Sequence, residues 1–328
     1  MDVILGIDQG SSTTRAVVCG LDGRLLGFGT APGAYHLFTG MDRAMAVVRE
    51  AAAAALAQAH ARQENIRLVF GGFTGADWAD EYGLLQENVR ETLGVAEVYI
   101  TNDSIIAMRG GSEHPYGAIL IAGSGGNCAI RSPDGREYIY GYYHDAHLQG
   151  GGALGRQALD AIYRAETGRK PATTLTGRVL SFYGLRNVDE LLRAEVEHRL
   201  PGAGPRDLAP LVFEEACQGD AAAVRILQDF GQGCAELVVN GLERFDMTGL
   251  AVEVVLSGSI FKGKGSLLID TLTRLIQQAA PQARVRSARY EPVVGAALLG
   301  LEKAGVPNSE ALKSTIEESA QALGLVRF

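Results

Sequence analysis

The sequence predicts an α/β protein with two domains arising by duplication. Three observations carry that expectation. Apolar strand-like runs alternate with helical patterns along most of the chain. One strand–turn–strand–turn–strand unit occurs twice, and 328 residues are enough to bury two separate cores.

The first unit spans 3–27. It runs from Val3-Ile4-Leu5 through a Gly/Ser/Thr turn to Ala16-Val17-Val18, then through Asp22-Gly23 into a third strand. The second spans 117–140: GAILIAG, the turn Ser124-Gly125-Gly126, a strand from Asn127 to Arg131, the turn Asp134-Gly135, and a strand from Glu137 to Tyr140. Each Asp-Gly pair is a strong hairpin signal, because both central positions of the tight turn need φ above zero.

Between the copies the pattern gives a helix over about 41–61, a strand over 66–73, a helix over about 77–93, a strand over 98–101 and a helix opening at Asn102-Asp103. After the second copy it gives helices over about 153–167, 172–183, 187–198, 206–217 and 220–245. A strand at 252–258, a helix at 266–280, a strand near Val285 and two final helices follow.

Composition narrows the function classes. With 47% hydrophobic and 21% charged residues the chain reads as a globular protein, and its formal charge of −8 gives no basic footprint for nucleic acid or anionic membrane. The longest weakly polar segment, 44–61, is broken by Arg49, Glu50, Gln58 and His60, so it reads as an alanine-rich helix and no membrane partner is expected. Asp2 and the shortness of the first apolar run argue against a signal peptide. Cys19, Cys128, Cys217 and Cys234 have no metal-ligand spacing and fit a reducing, cytoplasmic location.

Three glycine patterns compete for a nucleotide. Gly150 to Gly155 fits G-x-G-x-x-G, but YYHDAHLQ before it is no buried strand, so a flexible turn before a helix is preferred. Gly258 to Lys264 resembles the start of a P-loop, yet Gly265 stands where Ser or Thr should hold magnesium. The third is GIDQGSSTTR, 6–15, where Gly10 lets backbone approach a phosphate and Ser11, Ser12 and Thr13 offer donors. Gly123-Ser124-Gly125-Gly126-Asn127 offers a second such turn in the second copy.

These residues resemble the actin, Hsp70 and sugar kinase superfamily, and within it the N-acetylglucosamine kinase-like and BadF/BadG/BcrA/BcrD ATPase family. GIDQGSSTT is similar to the first phosphate motif and LIAGSGGN (120–127) to the second. VVLSGSIF (254–261) is similar to the adenosine motif, which puts Ser257, Gly258 and Ser259 at the nucleoside, and EPVVGAALLG (291–300) to the second connecting motif. The resemblance implies two RNase H-like domains with mixed sheets, roughly 1–110 and 111–328, with ATP and Mg²⁺ in the cleft. It implies a helical insertion over about 153–247, and a last helix returning to the N-terminal domain.

It also implies roles. Asp103 becomes the general base for a sugar hydroxyl, against the alternative that it or its neighbours only cap a helix. Asp8 falls on the magnesium side, directly or through water. Tyr35, Asp77, Asn102 and Asp145 become candidates for sugar contact, Asp77 being equally a helix cap. His144 and His147 have an i, i+3 spacing but no partner acid or cysteine at ligand spacing, so a pocket or surface role is preferred to metal.

The sugar side departs from the family. Tyr35 in AYHLFTG stands where the amino-sugar kinases carry Asn, and AHLQGGGALG (146–155) replaces their Gly-Asp-Glu-Gly segment, leaving N-acetylglucosamine a default acceptor. Two rival functions stay open: an activator of acyl-CoA dehydratases and a non-catalytic nucleotide- and sugar-binding regulator. Cys128 lacks a second cysteine nearby for the activator's cluster, and the pair Asp8 and Asp103 disfavours the regulator. Relatives form homodimers, so a homodimer is an open alternative to a monomer.

Overall fold

The computed structural model describes residues 2–327. In chain order the elements of the first half are β1 (Val3–Gln9), β2 (Thr13–Gly20), β3 (Leu25–Pro32), α1 (His36–Thr39), α2 (Met41–Gln58), β4 (Ile66–Phe73), α3 (Ala79–Leu93), β5 (Val98–Asn102) and α4 (Asp103–Arg109). The second sheet opens with β6 (Gly117–Ala122), β7 (Gly126–Arg131) and β8 (Glu137–Ile139). The helices α5 (Gly150–Glu166), α6 (Leu175–Tyr183), α7 (Val188–Val196), α8 (Ala209–Cys217) and α9 (Ala221–Arg244) follow. The chain then gives β9 (Glu253–Ser257), α10 (Leu267–Ala279), β10 (Arg284–Ser287), α11 (Pro292–Lys303) and α12 (Glu310–Ala322).

The two sheets repeat one plan. The first has the order β3-β2-β1-β4-β5 and the second β10-β9-β6-β7-β8, so in each copy the first strand lies centrally between its hairpin partner and the fourth strand. In the first sheet β1 pairs antiparallel with β2 and parallel with β4, and β4 pairs parallel with β5. All seven residues of β1 are buried, as a central strand covered on both faces requires. At the Asp22-Gly23 turn Gly23 has φ +87°, a conformation that glycine reaches without strain.

Helix α2 explains its own alanines. A Cβ on Gly27 would meet the Ala55 carbonyl oxygen at 2.3 Å, and one on Gly29 the Ala51 oxygen at 2.2 Å, so helix and strand touch backbone to backbone. Helix α11 does the same against β1 and α4. A Cβ on Gly6 would lie 2.9 Å from the Ala297 nitrogen, and one on Gly295 1.9 Å from the Ile106 oxygen. The small residues of EPVVGAALLG are therefore packing residues, which is the physical content of that motif.

Contacts group the described residues into two units. One takes the chain up to Ile119, Ile130–Ile139 and Arg286 onward; the other takes Leu120–Ala129 and Tyr140–Val285. By contacts, residues 130–139 and those from Arg286 onward, including the last two helices, group with the unit that holds the first sheet, although β8 pairs within the second sheet. Within that unit the Ser319 hydroxyl of α12 accepts from the Leu25 amide at 3.0 Å.

Element edges differ in detail from the sequence pattern. The glycines at 150–152 are the first turn of α5 and not a flexible turn before it, with Gly150 at φ +61° and the Gly151 amide bonded to the Gly123 carbonyl at 2.9 Å. The expected helix at 206–217 is a 3₁₀ turn, Gly204–Leu208, followed by α8, because Pro205 and Pro210 each withdraw a donor. Short α1 carried no periodic signal, since four residues are too few to show one.

Candidate active site

In the first unit three carboxylates gather at the carboxyl ends of the parallel strands, where open α/β sheets bind ligands. Asp8 stands near the end of β1, level with Gly72 on β4; Phe73 is level with Asn102, and Asp103 follows at the start of α4. Asp77 sits in the loop after β4, before α3. Burial is the main cause that raises the Asp103 carboxyl to about 7, and the charges of Asp8 and Asp77 add to it; hydrogen bonds from the Ser104 backbone and the Thr74 side chain oppose it. Burial also raises Asp8 to about 6, opposed by the Arg15 guanidinium. The charges of Asp8 and Asp77 both act on Asp103, which places each of them within Coulomb range of it.

Asn102 organises this group. Its Oδ1 accepts from the Ser104 amide at 3.0 Å, capping α4, while its Nδ2 donates to Asp77 Oδ1 at 2.8 Å and to the Ala76 carbonyl at 3.1 Å. The helix is therefore capped by the Asn102 side chain, while the Asp103 carboxylate takes hydrogen bonds from the Ser104 backbone and the Thr74 side chain. The Asp77 loop is held from its other side by Glu81, whose Oε2 accepts from the Asp77 and Trp78 amides at 2.9 and 3.1 Å. Asp77 does not itself cap α3.

Tyr35 packs against the same loop. A Cβ on Gly75, which has φ +79°, would lie 1.9 Å from the Tyr35 ring, and the buried His36 places Nε2 3.6 Å from Glu81. Tyr35, Asp77, Asn102 and Asp103 thus come together in one unit, whereas Asp145 is exposed and lies in the other. Asn102→Ala is expected to cost about 1–2 kcal/mol, from the lost cap and the freed Asp77 loop. A melting temperature unchanged by the substitution would contradict that role.

The first glycine hairpin is braced from behind. The Gly10 amide bonds to the Thr13 carbonyl at 3.0 Å, and Gly33 and Ala34 donate to Ser12 and Gly10 at 3.2 Å each. Ser11 and Ser12 are exposed and Thr13 half-buried. Loop backbone is fixed while its hydroxyls face outward.

In the second unit Gly123, Ser124 and Ser259 line a pocket of about 460 Å³. Gly151, Lys262 and Lys264, from the two glycine patterns set aside in the sequence, line it too, as do Arg206 and Phe213, which lie in no sequence motif. Gly258, at φ +113°, brings the end of β9 against β6; a Cβ there would meet the Ala122 carbonyl oxygen at 2.1 Å. The second hairpin is closed by Gln149, whose Oε1 accepts from the Gly126 amide at 2.9 Å. Gly125 lies in the same turn, its carbonyl accepting from the Gly123 amide at 2.9 Å. Asn127 turns its Oδ1 to the Cys128 and Gly141 amides at 2.8 and 3.0 Å, so it builds the loop from within.

Ser257 is the last residue of β9. His144 is buried, with Nδ1 3.3 Å from the Gln149 amide nitrogen, and no group of three or more potential metal ligands exists among the described residues. No described helix is long and apolar enough to cross a membrane.

Two mixed sheets of one order, a carboxylate group at strand ends and glycine hairpins after the first strand of each copy define the class of actin-like sugar kinase folds. A solved structure from Chromobacterium violaceum shares this fold with a TM-score of 0.63 at 23% identity, over 92% of this chain and 99% of that one. The profile of the BadF/BadG/BcrA/BcrD ATPase family matches residues 5–300, and the chain belongs to that family. It is 24% identical to an N-acetylmuramic acid/N-acetylglucosamine kinase of Clostridium acetobutylicum, over 91% of this chain and 98% of that protein. It is 26% identical to an N-acetyl-D-glucosamine kinase of Dictyostelium discoideum, over 92% and 98%.

Proposed function

We propose that the protein is an ATP-dependent sugar kinase, transferring the γ-phosphate to a hydroxyl of an N-acetylglucosamine-type amino sugar. The carrying observation is the Asp103 carboxylate, raised to about 7, held beside Asp77 and Asn102 and not consumed as a helix cap. Asp103 accepts the proton of the attacking hydroxyl as the bond to phosphorus forms. Asp77, Asn102 and Tyr35 orient the sugar. Phosphoryl transfer asks mainly for positioning and charge neutralisation, so modest basicity is enough.

On the nucleotide side, Gly10, Ser11, Ser12 and Thr13 are assigned to phosphate oxygens. In the second hairpin the Ser124 and Gly125 amides are assigned as backbone donors, with Gly123, Gly126 and Asn127 shaping the turn through their internal hydrogen bonds. Ser257, Gly258 and Ser259 form the floor for ribose and base. Magnesium prefers oxygen ligands and often uses one or two carboxylates with phosphates, which the acid group at Asp8 fits. When bound it would neutralise phosphate charge; Asp8 would hold it directly or through water. The protein is read as cytoplasmic, and a homodimer is left to direct measurement.

An ADP-release screen over hexoses, amino sugars and N-acetyl sugars tests this reading. Release should rise at least tenfold with one N-acetyl sugar over the sugar-free rate. Equal release with every sugar would replace the kinase by a plain ATPase of the same family.

A further inference from the structure

Arg15 is shared. It faces Asp8 across β1 and β2, and its Nη1 lies 3.4 Å from Asp8 Oδ2 and 3.5 Å from Glu291 Oε2. Neither contact is a close ion pair. Glu291 is meanwhile gripped by Arg327, whose Nε and Nη2 reach its two oxygens at 2.9 Å each. Backbone fixes both ends of that grip: the Glu291 amide donates to the Leu325 carbonyl at 2.9 Å and the Arg327 amide to the Arg289 carbonyl at 2.7 Å.

We propose that Arg15 is a displaceable counter-ion for Asp8, which holds the carboxylate neutralised until a divalent cation arrives and then retreats to Glu291. Arg327 sets how strongly Glu291 draws it. This inference rests on reading Asp8 as the carboxylate on the metal side.

The physical reasons are three. A buried, ionised carboxylate without a counter-charge is costly, so Asp8 needs a cation whenever it is ionised. A guanidinium cannot lose its proton, so when a second cation comes to the same carboxylate the guanidinium must move. Arg15 is about a third exposed and already within reach of a second acid, so it can change partner by side-chain motion alone. A fork between Glu291 and Arg327 keeps Glu291 from capturing Arg15 outright while the site is free.

Mn²⁺, without nucleotide, serves as the probe on the full chain at pH 8, with bound and free ion separated by electron paramagnetic resonance. Arg15→Gln is expected to tighten Mn²⁺ by about three- to fivefold, the scale of a partly exposed charge pair. Arg327→Gln frees Glu291 to draw Arg15 away and should tighten it about twofold; Glu291→Gln removes the retreat and should weaken it about twofold. Both substitutions break the same ion pair, so a merely structural role would move affinity the same way in each. Arg15→Gln/Glu291→Gln should match Arg15→Gln alone.

Weaker or unchanged binding in Arg15→Gln overturns the inference, as do shifts of one sign in the Glu291 and Arg327 variants. Asp8→Asn separates this outcome from failure of the underlying reading. If it binds Mn²⁺ like the wild type, Asp8 is not on the metal side and the inference falls with that reading.

Discussion

Asp103→Asn is expected to lower kcat by roughly 10²–10⁴-fold, the range that a positioned general base supplies, while ADP affinity stays within about twofold of the wild type. Asn keeps the size and the hydrogen bonds of the position but cannot take the proton of the sugar hydroxyl. In the wild type, kcat/KM should rise with pH through about 7, because only the ionised carboxylate serves as base and its acid form persists up to that range. The variant should lose that inflection. A variant with full transfer, or an unchanged pH profile, would remove Asp103 from the chemistry.

The same substitution makes a second, independent statement about stability. The Asp103 carboxyl is raised from an ordinary value of 3.8 to about 7, so between those values the folded state binds more protons than the unfolded chain. Stability contributed by this site is therefore present below pH 4 and lost as pH rises towards 7. Asn carries no charge at any of these pH values. The variant should melt above the wild type at pH 7.5, with the gap closing towards pH 4 and below. Loss of activity with gain of stability is the signature of a group held against its own solvation, and thermal melts at several pH values read it directly.

Gly258→Val should weaken ADP binding by at least about tenfold and cost about 2–5 kcal/mol of stability. Two causes add: a φ of +113° that a β-branched residue reaches only under strain, and a side chain placed on the Ala122 carbonyl oxygen. To relieve the overlap the end of β9 must draw away from β6, taking Ser259 from the pocket that it lines with Gly123 and Ser124. Gly249→Ala, an exposed glycine whose added Cβ meets nothing within 4 Å, is the control and should bind ADP normally. Wild-type ADP affinity in Gly258→Val, measured calorimetrically on folded protein, would dissociate this glycine from the nucleotide.

Much of the fold could be read from local pattern because its signals are local. The two Asp-Gly turns, the alternation of strands with helices and the polar interruption after Leu5 each lie within a few residues, and the repeated sheet order follows from them. Pattern also marked the two glycine hairpins, since small residues and hydroxyls between apolar strands have few other uses, whereas the roles of Asp8 and Asp103 were suggested by resemblance and not by local pattern.

What stayed hidden depends on contacts distant in sequence. Gln149 closes the second hairpin from 23 residues away. Glu81 holds the Asp77 loop from within a helix that otherwise reads as an ordinary amphipathic one. Phe213 and Arg206 reach the pocket from the helical segment, where nothing in periodicity marks them. The partnership of Arg15 with Glu291 spans nearly the whole chain, so neither residue could announce the other.

The bare contact of α2 with β3 and of α11 with β1 bears on how finely the acids are placed. Side chains between a helix and a sheet act as springs, because each can change rotamer and let the layers shift. Where carbonyl and amide touch a glycine directly there is no spring to compress, and β1 inherits its position from α11 without slack. A carboxylate at the end of such a strand is registered as a pin in a machined block is. Its aim is set by peptide geometry, which no change of rotamer can loosen.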